Sequence, residues 1–133
     1  MIAGLAHVCF TVSNLEASER FYCEKLGLQM AFDFVRDTGE KFGVYIHAGG
    51  RTFIELFQGE IDSVGGKPSF RHICLEVEDI EATVEELRKR GVEVGDIKLG
   101  SDNSYQAWLE DPDSNRIELH GYTADSKQAL FLT

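Results

Sequence analysis

Basic residues are scarce in this chain: 13 Lys and Arg stand against 23 Asp and Glu, a formal net charge of −10 over 133 residues. Nucleic acid and anionic membrane both reward clustered cations, so neither is expected as a partner, and a small molecule is. Cysteine is equally thin. Cys9, Cys23 and Cys74 are an odd set without paired spacing, which favours reduced thiols in a cytoplasm over a disulfide framework. No stretch approaches the roughly 18 apolar residues of a membrane span, and no segment is low in complexity. Met1 to Leu5 lacks the basic start and small-residue cleavage site of a signal peptide, so a cytoplasmic protein is expected. The length suits one domain (1–133) with an ordinary core and is too short for two domains of typical size.

What is present is a repeat. The run from His7 to Ala17 aligns without a gap on the run from His72 to Ala82, and Phe53-Ile54-Glu55-Leu56-Phe57 echoes Arg116-Ile117-Glu118-Leu119-His120. Position 7 maps to 72 and position 55 to 118, a nearly constant offset, so a whole module is repeated. Each half reads as strand, helix, then further strands. Module 1 is expected at about 4–57, a Gly-rich polar linker at 58–69, module 2 at about 70–122, and a tail at 123–133. The first helix is predicted to follow an Asn14 or Ser13 cap, to turn Leu15, Ala17, Phe21, Tyr22 and Leu26 toward a sheet, and to stop at Gly27. Its counterpart starts near Asp79, buries Ile80, Val84 and Leu87, and stops at Gly91. Gly49-Gly50 suits a tight hairpin and Asp111-Pro112-Asp113-Ser114-Asn115 a turn, so that Glu55 and Glu118 both sit in mid-strand. The apolar tail residues Leu130, Phe131 and Leu132 must pack on something.

Strand alternation separates the interesting residues from the core. The neighbours of His7, Glu55, His72 and Glu118 in sequence are apolar, so these four point away from the helix-packed face. That face also carries Cys9, Thr11, Phe53, Phe57, Cys74, Glu76, Arg116 and His120, a polar centre with aromatic walls. Singly, each residue reads as an ordinary outward polar position on a sheet. Equivalent placement in both modules argues otherwise: about an approximate twofold axis, His7, Glu55, His72 and Glu118 are candidates to converge on one divalent metal. His47 and His120 have no histidine counterpart in the other half. Hairpin parity puts His47 on the face opposite Glu55, and His120 is left as a substrate contact. Cys9 and Cys74 are read as small apolar groups, outside the ligand set.

His7 followed by Thr-Val-Ser-Asn-Leu, the run from Phe21 to Leu28, and the run from Asp111 to Leu119 together make the chain resemble the vicinal oxygen chelate superfamily, to about Tyr122. The resemblance implies an α+β fold, with two βαβββ modules pairing into an open cup of mixed sheet with helices outside. Within that superfamily the order His, Glu, His, Glu is similar to glyoxalase I. It implies a metal-dependent lyase or isomerase that moves a proton through an enediolate on an α-hydroxycarbonyl substrate, with Glu118 as the first candidate base and Glu55 as the second. Nickel, cobalt or zinc suits the donor set, with iron or manganese as alternatives. Thr11, Phe53, Phe57, Arg116 and His120 are the expected substrate contacts.

Two positions depart from the glyoxalase pattern. Thr11 stands where glutathione-using members carry a cation, and Ser114 replaces the usual glycine of the turn. A hemithioacetal of glutathione, an adduct of another thiol and a sugar-like carbonyl therefore all stay open, with Arg116, Arg36 or Arg51 available for an anionic group. The alternatives on the same scaffold are an epimerase, an extradiol-type dioxygenase and a non-catalytic binder of antibiotics. A homodimer is expected, with the apolar tail as interface or lid.

Overall fold

The computed structural model describes Met1, residues 3–62 and residues 70–132. The chain divides into two compact units, Met1–Gly66 and Lys67–Thr133. The fold is α+β, and each unit is a βαβββ module with its own four-stranded mixed sheet.

In the first unit, β1 (His7–Val12) leads into α1 (Leu15–Glu19), which widens into a π-helical stretch (Arg20–Lys25) before β2 (Gln29–Val35), β3 (Lys41–Gly49) and β4 (Thr52–Gln58). The sheet order is β1-β4-β3-β2, with β1 parallel to β4 and the remaining pairs antiparallel. Asn14 caps α1 by accepting from the Ala17 amide at 3.0 Å, and Gln58 ties the β1–α1 corner by accepting from the Leu15 amide and donating to the Ser13 carbonyl. Gln58, the first residue of the expected linker, is thus the last residue of β4; residues 63–69 of that linker lie outside the described residues. The helical residues buried against the sheet are Leu15, Ser18 and Tyr22, a stripe at i, i+3 and i+7. Ala17, Phe21 and Leu26, expected inward, are only half-buried. Gly27 closes the segment at φ 75°. Phe10, Val12, Val44, Ile46, Ile54 and Leu56 form the core.

The second unit runs β5 (Ile73–Glu76), α2 (Ile80–Lys89), β6 (Lys98–Leu99), β7 (Tyr105–Glu110) and β8 (Arg116–Gly121), in the order β5-β8-β7-β6 with β5 parallel to β8. Asp79 caps α2 through the Ala82 amide at 2.9 Å, Ile80, Val84 and Leu87 are buried, and Gly91 ends the helix at φ 80°, all as the sequence indicates. The turn before β8 is knotted by Asp111, whose carboxylate accepts from the amides of Asp113 and Asn115 and from the Asn115 side chain. Ser114 there adopts φ 63°, the left-handed region in which a Cβ is unfavourable.

Within the single chain Leu130, Phe131 and Leu132 are 89%, 84% and 46% exposed, and the tail is anchored through Ser126, Lys127 and Gln128. One expectation is corrected. His47 lies directly opposite Phe53, two residues along β3 from the Tyr45–Glu55 pair, and so shares the face of Glu55. An irregularity in register between His47 and Gly49 shifts the parity that a regular hairpin would have imposed.

Candidate functional site

Each sheet has one face under its helix and one face free of it, and the free face of each carries a histidine, a carboxylate and an aromatic ring. In the first unit the register pairs His7 with Phe53 and Cys9 with Glu55 across β1 and β4, and Glu55 with Tyr45 across β4 and β3. Partners across a sheet share a face, which brings His7 Nε2 to 4.0 Å from Glu55 Oε1. The Tyr45 phenolic oxygen lies 3.1 Å from His7 Nδ1. With Nδ1–H donating to that oxygen, the Nε2 lone pair on the carboxylate side is left for a ligand. Partial desolvation, together with the neighbouring Glu55 carboxylate, pushes the Cys9 thiol up.

The second unit repeats the arrangement more tightly. His72 Nε2 is 3.1 Å from Glu118 Oε2, and Trp108, directly opposite Glu118, meets the His72 ring edge-on at 4.8 Å between centroids. The other carboxylate oxygen, Oε1, is 3.2 Å from Nδ1 of the buried His120, and Asp102 Oδ2 lies 3.5 Å from the far nitrogen of that ring. Asp102 accepts from Gln128 Nε2 at 2.6 Å and from the Ser104 amide at 3.1 Å. These bonds, the one from Gln128 foremost, hold its carboxyl below the usual range, and the nearby His120 adds to this. Partial desolvation and the charges of Glu118 and Asp102 push the Cys74 thiol up to about 12. Cys74 and Cys9 are exposed rather than packed as small apolar groups. The ligand atoms of Cys74, Glu118 and His120 also lie within 4.8 Å of one another, but a thiol so hard to ionise is a poor donor unless a metal displaces its proton.

The donor chemistry fits a divalent metal. Imidazole nitrogen and carboxylate oxygen suit zinc, cobalt or nickel, and two donors each about 2.1 Å from one ion stand roughly 3 Å apart at near-right angles. The His72–Glu118 pair already has that spacing; the His7–Glu55 pair needs a small side-chain adjustment.

The structure places the other expected contacts as follows. Phe53 and Phe57 flank Glu55 in β4. The Tyr45 ring stacks on both Phe53 and Phe32, while Phe57 stacks on Phe42 and touches Phe34. Gly43 permits this, because a Cβ there would fall 2.5 Å from the Phe57 ring and 2.8 Å from the Leu56 carbonyl. Thr11 is exposed opposite Phe57. Arg116 sits over the Trp108 ring at 4.3 Å and Arg36 over Phe42 at 4.4 Å, so each is engaged with an aromatic face. His47 donates from Nε2 to the Gly50 carbonyl across the hairpin at 3.0 Å. Sequence reasoning missed Tyr45, Trp108 and Asp102. The first two precede their glutamates by the same interval, 45 to 55 and 108 to 118, a signal that aligning the hairpins would have exposed.

Two βαβββ modules, each presenting an imidazole–carboxylate pair from a parallel strand pair, define a class, and the match bears it out. Residues 4–119 match the Glyoxalase/Bleomycin resistance protein/Dioxygenase superfamily, the vicinal oxygen chelate proteins, and the chain belongs to it. It is 32% identical over 123 residues to a probable lactoylglutathione lyase of Synechocystis sp., spanning 86% of this chain and 92% of that protein. Among solved structures it resembles SMU.1112c (TM-score 0.78, 24% identity, 90% of this chain and 99% of the other) and TnmS3, an antibiotic binding protein from Streptomyces sp. CB03234 (TM-score 0.72, 27% identity, 92% and 98%). Among the described residues no helix is long and apolar enough to cross a membrane.

Proposed function

We propose that this chain is a metal-dependent, glyoxalase I-like lyase acting on a small α-hydroxycarbonyl, with His7, Glu55, His72 and Glu118 holding one divalent metal. The single observation that carries the reading is the repetition: the same His–Glu–aromatic constellation stands on the helix-free face of both sheets. Membership of the superfamily and likeness to a probable lactoylglutathione lyase support it. The quartet is drawn from one chain or from two copies in a homodimer, which is the assembly proposed; a solution mass of monomer alone at micromolar concentration would sink the dimer.

A bound metal supplies Lewis acidity at the substrate oxygens. The protein's own groups do the rest. Glu118 takes the proton from one carbon and returns it to the adjacent one, a general acid–base role worth about 10²–10⁴-fold. Glu55 is the second candidate for that transfer. Tyr45 holds His7 by its Nδ1, Phe53 and Phe57 wall off water on the module 1 side, and Trp108 with Arg116 does so on the module 2 side.

The test is elemental analysis of the purified, tag-free protein, then assay of methylglyoxal plus glutathione with nickel, cobalt, zinc or iron restored to stripped protein. Metal near one per quartet with hemithioacetal turnover is expected. Failure to retain or bind any of these metals overturns the reading, and metal without turnover moves the search to other thiols and sugar-like carbonyls.

A second reading rests on the aromatic layer of module 1. Stacked Phe32, Tyr45 and Phe53, continued by Phe34, Phe57 and Phe42, suit a planar apolar ligand, and TnmS3 is an antibiotic binder. Tight binding of a planar aromatic compound by metal-free protein, without turnover of any thiol adduct, would favour it.

A further inference from the structure

Glu118 is braced from behind in a way that Glu55 is not. A glutamate loses rotamer freedom when it is fixed, so a carboxylate that must meet a metal or a substrate proton at one angle gains from being held beforehand. The two oxygens of Glu118 are divided between two rings: Oε2 faces His72 Nε2 at 3.1 Å and Oε1 faces His120 Nδ1 at 3.2 Å. The i, i+2 spacing on β8 puts Glu118 and His120 on one face. The His120 ring is itself held. It is buried, it meets Tyr122 edge-on at 4.8 Å, and its Nε2, buried without a hydrogen bond of good geometry, lies 3.5 Å from Asp102 Oδ2. Asp102 belongs to the turn before β7 and is fixed from the C-terminal segment, where Gln128 Nε2 donates to its carboxylate and the Lys127 amide to its carbonyl. The equivalent of His120 in module 1 is Phe57, which can hold no carboxylate.

We infer that His120 is a positioning residue for Glu118, donating from Nδ1 to Oε1, and that burial and the Tyr122 ring hold the His120 side chain while Asp102, anchored by Gln128, closes its far side, so that the C-terminal segment contributes to the geometry of the site. The functional meaning rests on the reading of Glu118 given above; the hydrogen-bonded chain itself does not.

The experiment uses the metal-stripped full chain. Nitrogen-15 NMR of the imidazoles is expected to show His120 protonated at Nδ1, with that signal displaced in Glu118→Gln and in Asp102→Asn while the backbone spectrum keeps its dispersion. A His120 signal indifferent to both substitutions overturns the inference. Cobalt titration by calorimetry supplies the second readout. His120→Ala is expected to weaken binding about 10–100-fold, the usual effect of losing a group that orients a ligand, whereas His120→Asn, whose amide N–H can stand where Nδ1–H stood, recovers binding to within about threefold of wild type. An asparagine variant as weak as alanine at an unchanged melting temperature counts against positioning. If wild-type protein binds no cobalt, the metal reading fails while the NMR result still decides the inference.

Discussion

The two modules place the same pair of residues on the same strands and then treat them differently. In module 2, His72 and Glu118 stand 3.1 Å apart, and the Glu118 side chain is 11% exposed and braced by His120. In module 1, His7 and Glu55 stand 4.0 Å apart, the His7 side chain is 41% exposed, and the residue equivalent to His120 is Phe57. The repeat determines where each histidine and glutamate stands; the residues behind them determine how firmly. Module 2 surrounds its pair with a polar chain of hydrogen bonds and module 1 surrounds its own with stacked rings, so the carboxylate of module 2 is held in place while the free face of module 1 is suited to apolar contact.

The comparison breaks most sharply at the carboxylates. Glu118→Gln is expected to keep the fold and the thermal midpoint but to lower kcat about 10³-fold, with Glu55→Gln costing clearly less; equal losses, measured as kcat with saturating metal, would abolish the asymmetry. Next come the histidines: His72→Ala is expected to weaken cobalt retention more than His7→Ala does, read by calorimetry on stripped protein. Gly43→Ala tests the aromatic side alone. Its Cβ would meet the Phe57 ring and the Leu56 carbonyl, so a loss of about 1–3 kcal/mol is expected, seen as a lower denaturant midpoint with metal affinity little changed. Tyr45→Phe removes the partner of His7 Nδ1 and should weaken metal about tenfold. The smallest effect is a gain. Ser114→Gly relieves a left-handed φ of 63° and should stabilise by about 1 kcal/mol, a rise of a few degrees in Tm; no rise would mean that the Asp111 network already absorbs the strain.

Much of this was legible in one dimension. The alternation of His7, Cys9 and Thr11 with Val8, Phe10 and Val12 announces a two-faced strand, and Asn14, Asp79, Gly27 and Gly91 announce helix ends, because side-chain period and capping are local physics. The candidate ligands follow from the same alternation. What could not be read were features that depend on register. One irregularity beside Gly49 reversed the face of His47, and cross-strand pairing set Tyr45 and Trp108 against the two glutamates. The tail was legible only in part. Its apolar residues stay exposed, while Ser126, Lys127 and Gln128, unremarkable in sequence, carry the anchoring.

By itself, then, the sequence determined the repeat, through the alignment of its two halves, and the order of strand, helix and further strands in each, the helix boundaries and the sharing of one sheet face by His7 and Glu55 and by His72 and Glu118, through side-chain period and capping; the βαβββ module was implied by the resemblance. Only the tertiary structure decided that Asp102, bonded to Gln128 26 positions away, lies against His120, and that Glu118 rather than Glu55 stands between two imidazoles. Contacts between distant segments are set by how strands pair and loops return, and no local pattern encodes them.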